Sequence, residues 1–393
     1  LFGVGSSSMM SRALGRRDYE AVRRSSAFGF YCALFFGVLF SALCTIGLHP
    51  LLILLGADAN TMDATAGYLK WTVLFGAAPA ILNVVMAYLV RSEGSSLHAS
   101  IGTMSGCLLN IILDPIFILP WGLDMGAAGA GLATFLSNCA ACVYFFVLLR
   151  VRRKTTFVCI HPMKFSFQRY IVLGVCGVGV PAAIQNLLNV TGMTILNNFT
   201  SAYGAQAVAA MGITQKINMV PLQVAMGFSQ GIMPLISYNY ASGNHRRMKE
   251  TIYFTIRTLL PFLVVVSLGY YAGAGMLTRA FMDNEAIVAY GTRFLRGFCL
   301  GLPFLCMDFL AVGVFQAVGM GKAALSFAIL RKIVLEIPAL YLLNRLFPLY
   351  GLSYAQMAAE LVLSIASVIM LARIFRRMQR DDRSGPDSGQ TFR

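Results

Sequence analysis

Asn110 and Asp114 stand out as an amide and a carboxylate in an otherwise apolar stretch, CLLNIILDPIF. In a helix, the spacing i, i+4 places both groups on the same face. Pro115 lacks an N–H group, so a backbone carbonyl nearby becomes available as a further oxygen ligand. Such oxygen donors suit a small cation, and an intramembrane carboxyl group can carry a proton. We therefore predict a coupling site for H⁺ or Na⁺ at Asn110 and Asp114, with a purely structural carboxylate as the alternative.

Asp308, Glu360 and Lys216 are charged residues inside other apolar stretches. A charge in a bilayer costs at least about 2.5–3.5 kcal/mol, so it normally faces a cavity or a partner. Asp308 follows Pro303 in LPFLCMDFL without a cation close by in the sequence, which makes it a weaker candidate for a cation contact. Glu360 lies near the outer end of the last apolar stretch, where that stretch begins, and is interpreted as structural. Lys216 is expected to snorkel or to pair with one of the carboxylates.

Glu336 is a further acidic residue in an apolar stretch, two residues before Pro338. Arg331 and Lys332 lie within about one helical turn of it. An internal ion pair is therefore the expected role of Glu336. A contribution to transport is the alternative.

The elements that hold these residues follow from composition. The chain has 393 residues, of which 58% are hydrophobic and 12% are charged, and its mean hydropathy is +0.70. Soluble proteins carry a charged share near a quarter, so the excess apolar mass must face lipid. The apolar runs are unbroken and too long for the alternating strands of a β-barrel. The sequence therefore predicts an all-α integral membrane protein.

Apolar runs of about 20 residues predict ten complete transmembrane helices. Residues 1–11 resemble the end of an eleventh, and the chain starts at Leu1 within apolar sequence, so we expect an N-terminally incomplete chain. The ten predicted spans are 25–48, 67–90, 99–119, 127–149, 170–199, 205–237, 251–274, 290–318, 324–346 and 352–375.

The basic residues are distributed unequally between the two sides that these spans define. The connections on one side, together with the C-terminal tail, carry 22 Lys and Arg residues, whereas the other side has only Arg279 and Arg345. By the positive-inside rule, the first side and the C-terminus are cytoplasmic. The net charge of +15 is then a topology signal rather than a sign of nucleic-acid binding.

Four landmarks recur in the same order in the two halves of the chain, at an offset that drifts from 228 to 222 residues. They are Gly15 and Gly243, Gly94 and Gly319, Pro115 and Pro338, and Gly129 and Gly351. Both copies begin on the same side, which indicates two parallel repeats: an N-lobe over 1–160 and a C-lobe over 161–393 with six spans and a basic tail. The offset implies that the N-lobe lacks its first two spans, about 59 residues, so the intact parent would have twelve.

Two parallel multi-span repeats are typical of a secondary transporter, whose substrate site lies near the midplane of the membrane. A scaffold or a channel is the alternative. The sequence contains no G-x-x-x-x-G-K-[ST] loop, so an ion gradient rather than ATP is expected to supply the energy. We expect no cofactor besides the coupling ion.

Six stretches of the chain together resemble one known family. They are ALGRRDYEAVRR, YASGNHRRMKE, NIILDPIFIL, GAAGAGLAT, GVPAAIQNLLN and FQAVGMGKAALS. Together they look like a multidrug and toxic compound extrusion (MATE) transporter of the bacterial DinF-like and MepA-like subgroup. The resemblance implies twelve spans in two lobes around a central cleft, and export of organic cations in exchange for protons or sodium.

The resemblance also implies roles for individual residues. The N-lobe cation site of the family contains an Asn and an Asp one turn apart, matched by Asn110 and Asp114, and a Thr in the next span, matched by Thr134. The family site also uses an Asp of the first span, which has no counterpart in this chain. Asp308 is only an approximate match to the C-lobe carboxylates of the family. Gln185 and Asn186, in GVPAAIQNLLN, are weaker candidates for the substrate site.

The sequence thus predicts a cation-coupled antiporter that exports amphipathic cationic drugs across the bacterial cytoplasmic membrane. Its expected partners are small organic cations and membrane lipid, with no nucleic acid and no required protein partner.

The alternative is a lipid-linked saccharide flippase of the same two-lobe plan. Such a flippase needs several cations for its pyrophosphate lipid, and only Lys216, Arg331 and Lys332 lie well inside spans. An enzyme is disfavoured because the four histidines lie at span ends or in loops and no H-E-x-x-H motif occurs.

Overall fold

A computed structural model describes residues 1–54 and 61–383, and its regular elements are all helical. The α-helices are α1 (Phe2–Gly15), α2 (Tyr19–Ile46), α3 (Leu48–Leu54), α4 (Met62–Leu69), α5 (Ala77–Ser92), α6 (Ser96–Ile118), α7 (Gly126–Val151), α8 (Arg169–Ser201), α9 (Ala205–Ala241), α10 (His245–Phe281), α11 (Glu285–Cys299), α12 (Leu302–Ala317), α13 (Gly321–Ile329), α14 (Ile337–Leu346) and α15 (Gly351–Arg383). π-helical turns at Lys70–Phe75 and Leu330–Glu336 join α4 to α5 and α13 to α14, and Pro162–Lys164 forms a short 3₁₀ turn.

Seven of the described helices are long and apolar enough to cross a membrane. The number rises to nine if two bent pairs each count as one span: Met62–Phe75 with Ala77–Ser92, bent by 50°, and Glu285–Cys299 with Leu302–Ala317, bent by 48°. The remaining predicted span, 324–346, corresponds to α13, the second π-helical turn and α14, and it contains Arg331, Lys332 and Glu336. The all-α membrane architecture is confirmed, and this helix count is roughly compatible with ten spans.

The chain divides into two compact units, Leu1–Gly179 and Val180–Arg393, called unit 1 and unit 2 below. The division falls inside α8, just before Pro181. The first part of α8 belongs to unit 1 because Ile171 and Val175 are buried against Phe28 of α2. The lobe boundary at residue 160, inferred from the repeat, stays a prediction.

The core of unit 1 is formed by α1, α2, α5 and α7. Met10, Met86, Leu89 and Phe145 are fully buried there. By contrast, α6 exposes Leu108, Ile111 and other large apolar side chains on its outer face. In a membrane protein this pattern places one face of α6 against lipid and the opposite face against α7.

Glycines bring α6 and α7 close together. A Cβ atom added at Gly102 would lie 2.4 Å from the ring of Phe145, and one at Gly106 would lie 3.1 Å from the carbonyl oxygen of Ser137. The hydrophobic effect does not drive helices together inside a lipid bilayer, so close van der Waals packing matters there. Small residues allow such packing because they let the helix backbones approach each other. The approach brings the polar residues of α6 within reach of those on α7.

Unit 2 uses the same device between α9 and α12. A Cβ atom at Gly313 would lie 2.3 Å from the hydroxyl oxygen of Ser229. The hydroxyl groups of Ser229 and Ser237 donate across the interface to the carbonyl oxygens of Phe309 and Ala317, each at 2.8 Å. These hydrogen bonds satisfy buried polar groups and hold α12, which carries Asp308, in a fixed position.

Candidate functional site

Asn110, Asp114 and Thr134 meet between α6 and α7 in unit 1. The Asn110 Nδ2 donates to Asp114 Oδ1 at 3.3 Å and to Thr134 Oγ1 at 3.5 Å, and the Thr134 hydroxyl donates to the carbonyl of Ala130 at 3.0 Å. All three side chains are half-buried. The structure therefore brings together the three residues proposed from sequence and family resemblance, with the amide at the centre.

The backbone of α6 adds an oxygen near this group. Pro115 lies inside the helix and provides no N–H group, so the carbonyl of Ile111 loses its usual helical donor. The helix then ends within one turn, at Ile118. A carboxylate, an amide oxygen, a hydroxyl and a free carbonyl are the types of ligand that a small cation or a proton carrier requires.

Two asparagines that sequence reasoning did not select extend this polar row. Asn138 lies one turn after Thr134 on α7, and its Nδ2 donates to the Thr134 carbonyl at 3.0 Å. Asn83, on α5, donates from Nδ2 to Asn138 Oδ1 at 3.1 Å. Its own Oδ1 is buried and accepts no hydrogen bond from the described residues. The available signal was a lone amide in the apolar sequence AILNVVMAYL.

A second polar group, buried inside unit 2, consists of charged residues. The Arg331 guanidinium lies 3.1 Å from Asp308 Oδ2 and 2.6 Å from Glu360 Oε1. The side chains of Asp308 and Glu360 are only 1% and 0% exposed, and that of Arg331 is 6% exposed. We call these three residues the buried triad. It connects α12, the second π-helical turn and α15.

Lys332 and Glu336 form a separate ion pair next to the triad along the chain. The Lys332 Nζ lies 2.7 Å from Glu336 Oε2, so the internal ion pair expected for Glu336 is present. Gly192 of α8 allows the close approach of this pair, because an added Cβ atom there would lie 3.1 Å from Lys332 Nζ. A transport role for Glu336 stays a prediction.

Local spacing did not reveal the partners of Asp308 and Glu360. They lie on α12 and α15, and Arg331 lies on the turn between α13 and α14. Three segments distant in the sequence must pack before these charges meet. The cation that Asp308 contacts in this structure is therefore an internal guanidinium, and Glu360, interpreted as structural, is the second carboxylate paired with it.

The remaining candidates lie apart from both groups. Lys216 is exposed on α9 and forms no ion pair with any acidic residue in the described part of the chain. Gln185 accepts a hydrogen bond from Gln316 Nε2 at 3.3 Å, which links α8 to α12. Asn186 is exposed and donates to the Ala182 carbonyl of its own helix at 3.0 Å.

Within residues 1–54 and 61–383, no group of three or more His, Cys, Asp and Glu side chains is placed so that it could hold a metal ion. Asp114 would be the one charged ligand of a cation at the α6–α7 site, beside the neutral oxygens of Asn110 and Thr134. Such a donor set fits a monovalent cation or a proton better than a divalent metal.

Among known families, the chain matches the MatE family model. The model matches residues 1–116 and 181–342, one segment in each compact unit. Among curated proteins, the chain is 32% identical over 383 residues to the multidrug export protein MepA of Staphylococcus saprophyticus, and 32% identical to MepA of Staphylococcus aureus strain MRSA252. Each alignment covers 97% of this chain and 83% of the relative.

Solved structures with the same fold include several MATE proteins. A MATE protein in complex with MaL6 is 24% identical, with a TM-score of 0.90 and coverage of 96% of this chain and 85% of the other. An outward-facing multidrug resistance MATE family transporter is 23% identical with a TM-score of 0.90, covering 96% and 84%. The bent form of VcmN from Vibrio cholerae is 20% identical with a TM-score of 0.86, covering 96% and 84%. At these identities the likeness concerns the fold.

Proposed function

The chain belongs to the MATE family of transporters, and we propose that it exports amphipathic organic cations from a bacterial cell in exchange for H⁺ or Na⁺. Its curated relatives are multidrug export proteins, which supports this substrate class. The family consists of transporters rather than enzymes, in agreement with the expectation from sequence. The bacterial relatives and the apolar helices make it a multi-pass bacterial membrane protein.

The observation that carries the coupling proposal is the difference between Asp114 and the other intramembrane carboxylates. Asp308 and Glu360 contact Arg331, and Glu336 contacts Lys332. Asp114 forms no ion pair with any residue that the structure describes, and its hydrogen-bond partner is a neutral amide. A carboxylate at bilayer depth without an internal cation is the one best suited to take a cation from solution.

The geometry supports a mechanism for coupling. Asn110 donates hydrogen bonds to Asp114 within α6 and to Thr134 across to α7. A proton on Asp114 neutralises the carboxylate that accepts from the Asn110 amide. A Na⁺ ion bound at Asp114 instead attracts the neutral oxygens of Asn110 and Thr134. The contact between α6 and α7 then differs between the loaded and the empty site. If drug binding favours one arrangement, ion and drug change each other's affinity by the same factor.

Replacement of Asp114 tests this proposal. In everted membrane vesicles, the native chain should export ethidium under an imposed pH gradient or an imposed sodium gradient, and Asp114→Asn should abolish the response to both. Asp124→Asn is the matched control, since Asp124 is exposed between α6 and α7 and its backbone φ of 47° suits asparagine. Undiminished gradient-driven efflux by Asp114→Asn, at equal protein level, would rule out Asp114 as the coupling residue.

Flipping of lipid-linked saccharides is the alternative function. It requires cations that are free to bind a pyrophosphate. Of the three cations that lie well inside the predicted spans, Arg331 and Lys332 already contact carboxylates. The structure thus supports drug export over this alternative.

A further inference from the structure

A cavity of about 680 Å³ opens at one end of unit 1, apart from the α6–α7 site. The start of α2, the end of α7 and the connection from α7 to α8 surround it. Its basic lining residues are Arg23, Arg150, Arg153 and Lys164. Since the connections at this end are rich in arginine, the positive-inside rule places the cavity at the cytoplasmic surface.

The cavity has an uncompensated positive charge. None of its lining residues is acidic. The Lys164 ammonium lies 3.1 Å from Glu20 Oε1, a counterion that it shares with Arg24. Arg23, Arg150 and Arg153 are exposed, and none forms an ion pair with a described residue. Three guanidinium groups therefore surround one concave surface without a counterion from the described chain.

Hydrogen bonds hold the wall of the cavity in place. The Glu93 carboxylate, which is not itself a lining residue, accepts from the Thr156 hydroxyl and the Phe157 N–H of the wall, both at 2.8 Å. The Tyr31 hydroxyl donates to the Ile160 carbonyl at 2.8 Å. The ring of Phe157 also stacks on that of Tyr19, with centroids 5.1 Å apart. The connection is thus fixed to α2 and α5, and the site is preformed.

An exposed apolar stripe on α7 runs toward the arginines. Val143, Val147 and Arg150 follow the spacing i, i+4 and i+7, which places them on one face of the helix. Val143 and Val147 are 59% and 55% exposed, and Phe146, one turn before Arg150, is 38% exposed. The stripe continues from the cavity toward the bilayer core, so a ligand with an apolar tail could lie along it.

We propose that this cavity binds the phosphate headgroup of an anionic phospholipid from the cytoplasmic leaflet, such as phosphatidylglycerol, with an acyl chain along α7. Arginine fits this role because its planar fork donates two parallel hydrogen bonds to phosphate oxygens. Basic pockets of this kind on the cytoplasmic side are suited to anionic headgroups. The apolar stripe favours a lipid over a soluble phosphate. The proposal does not depend on drug export or on Asp114.

The test is a lipid titration of the full-length chain in detergent, followed by native mass spectrometry. Phosphatidylglycerol and phosphatidylcholine with identical acyl chains are added separately. The variant R23Q/R150Q/R153Q removes the three unpaired arginines, and R23K/R150K/R153K keeps their charge. The matched control R16Q/R247Q/K322Q removes three exposed cations on the same predicted side, outside the cavity. Circular dichroism and gel filtration check that every variant is folded.

The native chain should bind one phosphatidylglycerol in preference to phosphatidylcholine. Each lost cation weakens binding about fivefold, so the glutamine variant should lose roughly 100-fold in affinity. The lysine variant should lose less than about tenfold, because it keeps the charge but not the planar fork. The control variant should stay within about threefold of the native chain, because it leaves the cavity intact.

Three results would overturn the proposal. The first is equal binding of the two lipids by the native chain. The second is an equal loss in the glutamine variant and the control variant, which would indicate general surface charge. The third is arginine-dependent binding of inorganic phosphate as tight as that of phosphatidylglycerol, which would identify a soluble phosphate as the occupant.

Discussion

Asp114 and Arg331 represent two ways in which this chain places a charge inside a membrane. Arg331 has two buried carboxylates as ion-pair partners, both supplied by other helices of unit 2. Asp114 has a neutral amide and a half-buried position. The first arrangement suits a permanent structural contact, whereas the second suits a site that is loaded and emptied in each transport cycle.

Removal of the Arg331 charge should destabilise the protein strongly. In Arg331→Ala, Asp308 and Glu360 remain buried without a counterion, which typically costs about 3–5 kcal/mol. Arg279→Ala serves as the control, since Arg279 is 57% exposed and its pairing with Glu285 is worth less than about 1 kcal/mol. Thermal unfolding of the purified variants in detergent measures the difference. Equal melting temperatures would show that the buried triad contributes little to stability.

The Thr134 hydroxyl should contribute to ion coupling by a smaller amount than Asp114. Thr134→Val keeps the shape and removes the acceptor for Asn110 Nδ2, a loss of about 1 kcal/mol, or about fivefold in affinity for the coupling ion. Thr134→Ser keeps the hydroxyl and should retain near-native coupling. The ion concentration that gives half-maximal ethidium efflux is the measurement. A native value for Thr134→Val would remove Thr134 from the site.

At the scale of elements, the distance between α6 and α7 decides whether the site forms. Asn110 and Thr134 lie on different helices, and their contact at 3.5 Å depends on the glycines one and two turns before Asn110. The same helices carry lipid-facing residues on their outer sides. Close packing on one face and lipid on the other together orient the polar residues inward.

Gly102→Ala should therefore weaken both stability and coupling. Its Cβ atom would overlap the Phe145 ring, and Phe145 is fully buried, so the ring cannot withdraw without a shift of the core. Overpacking of this kind costs about 1–3 kcal/mol. Gly177→Ala is the control, because a Cβ atom there meets nothing within 4 Å and alanine favours a helix. In denaturant unfolding, Gly102→Ala should be less stable than Gly177→Ala. Its ethidium efflux should also be weaker than that of Gly177→Ala.

At the scale of the whole molecule, the basic residues define an orientation. The positive-inside rule predicts a cytoplasmic C-terminus and an external connection between α10 and α11. Alkaline phosphatase fused after Arg393 should be inactive, and the same enzyme inserted after Asp283 should be active, since it folds only outside the cytoplasm. Active phosphatase at the C-terminus would reverse the predicted orientation.

Several properties of this protein follow from composition, spacing and charge. The apolar runs determine an all-helical membrane fold because a backbone in lipid must satisfy its own hydrogen bonds. Asn110 and Asp114 share one helix, so their proximity is a local property, and Glu336 meets Lys332 within one turn for the same reason. The helix count does not follow from the apolar runs alone, since π-helical turns and bends divide spans that look continuous in the sequence.

Contacts between distant segments could be decided only by tertiary structure. Asp308 and Glu360 meet Arg331 because three separate segments pack around it, and Asn83 reaches Asn138 because α5 packs beside α7. The cavity at Arg23, Arg150 and Arg153 likewise needs the connection after α7 to fold back onto α2. A sequence shows which residues are costly to bury, but the partner that offsets the cost is known only once the helices have packed.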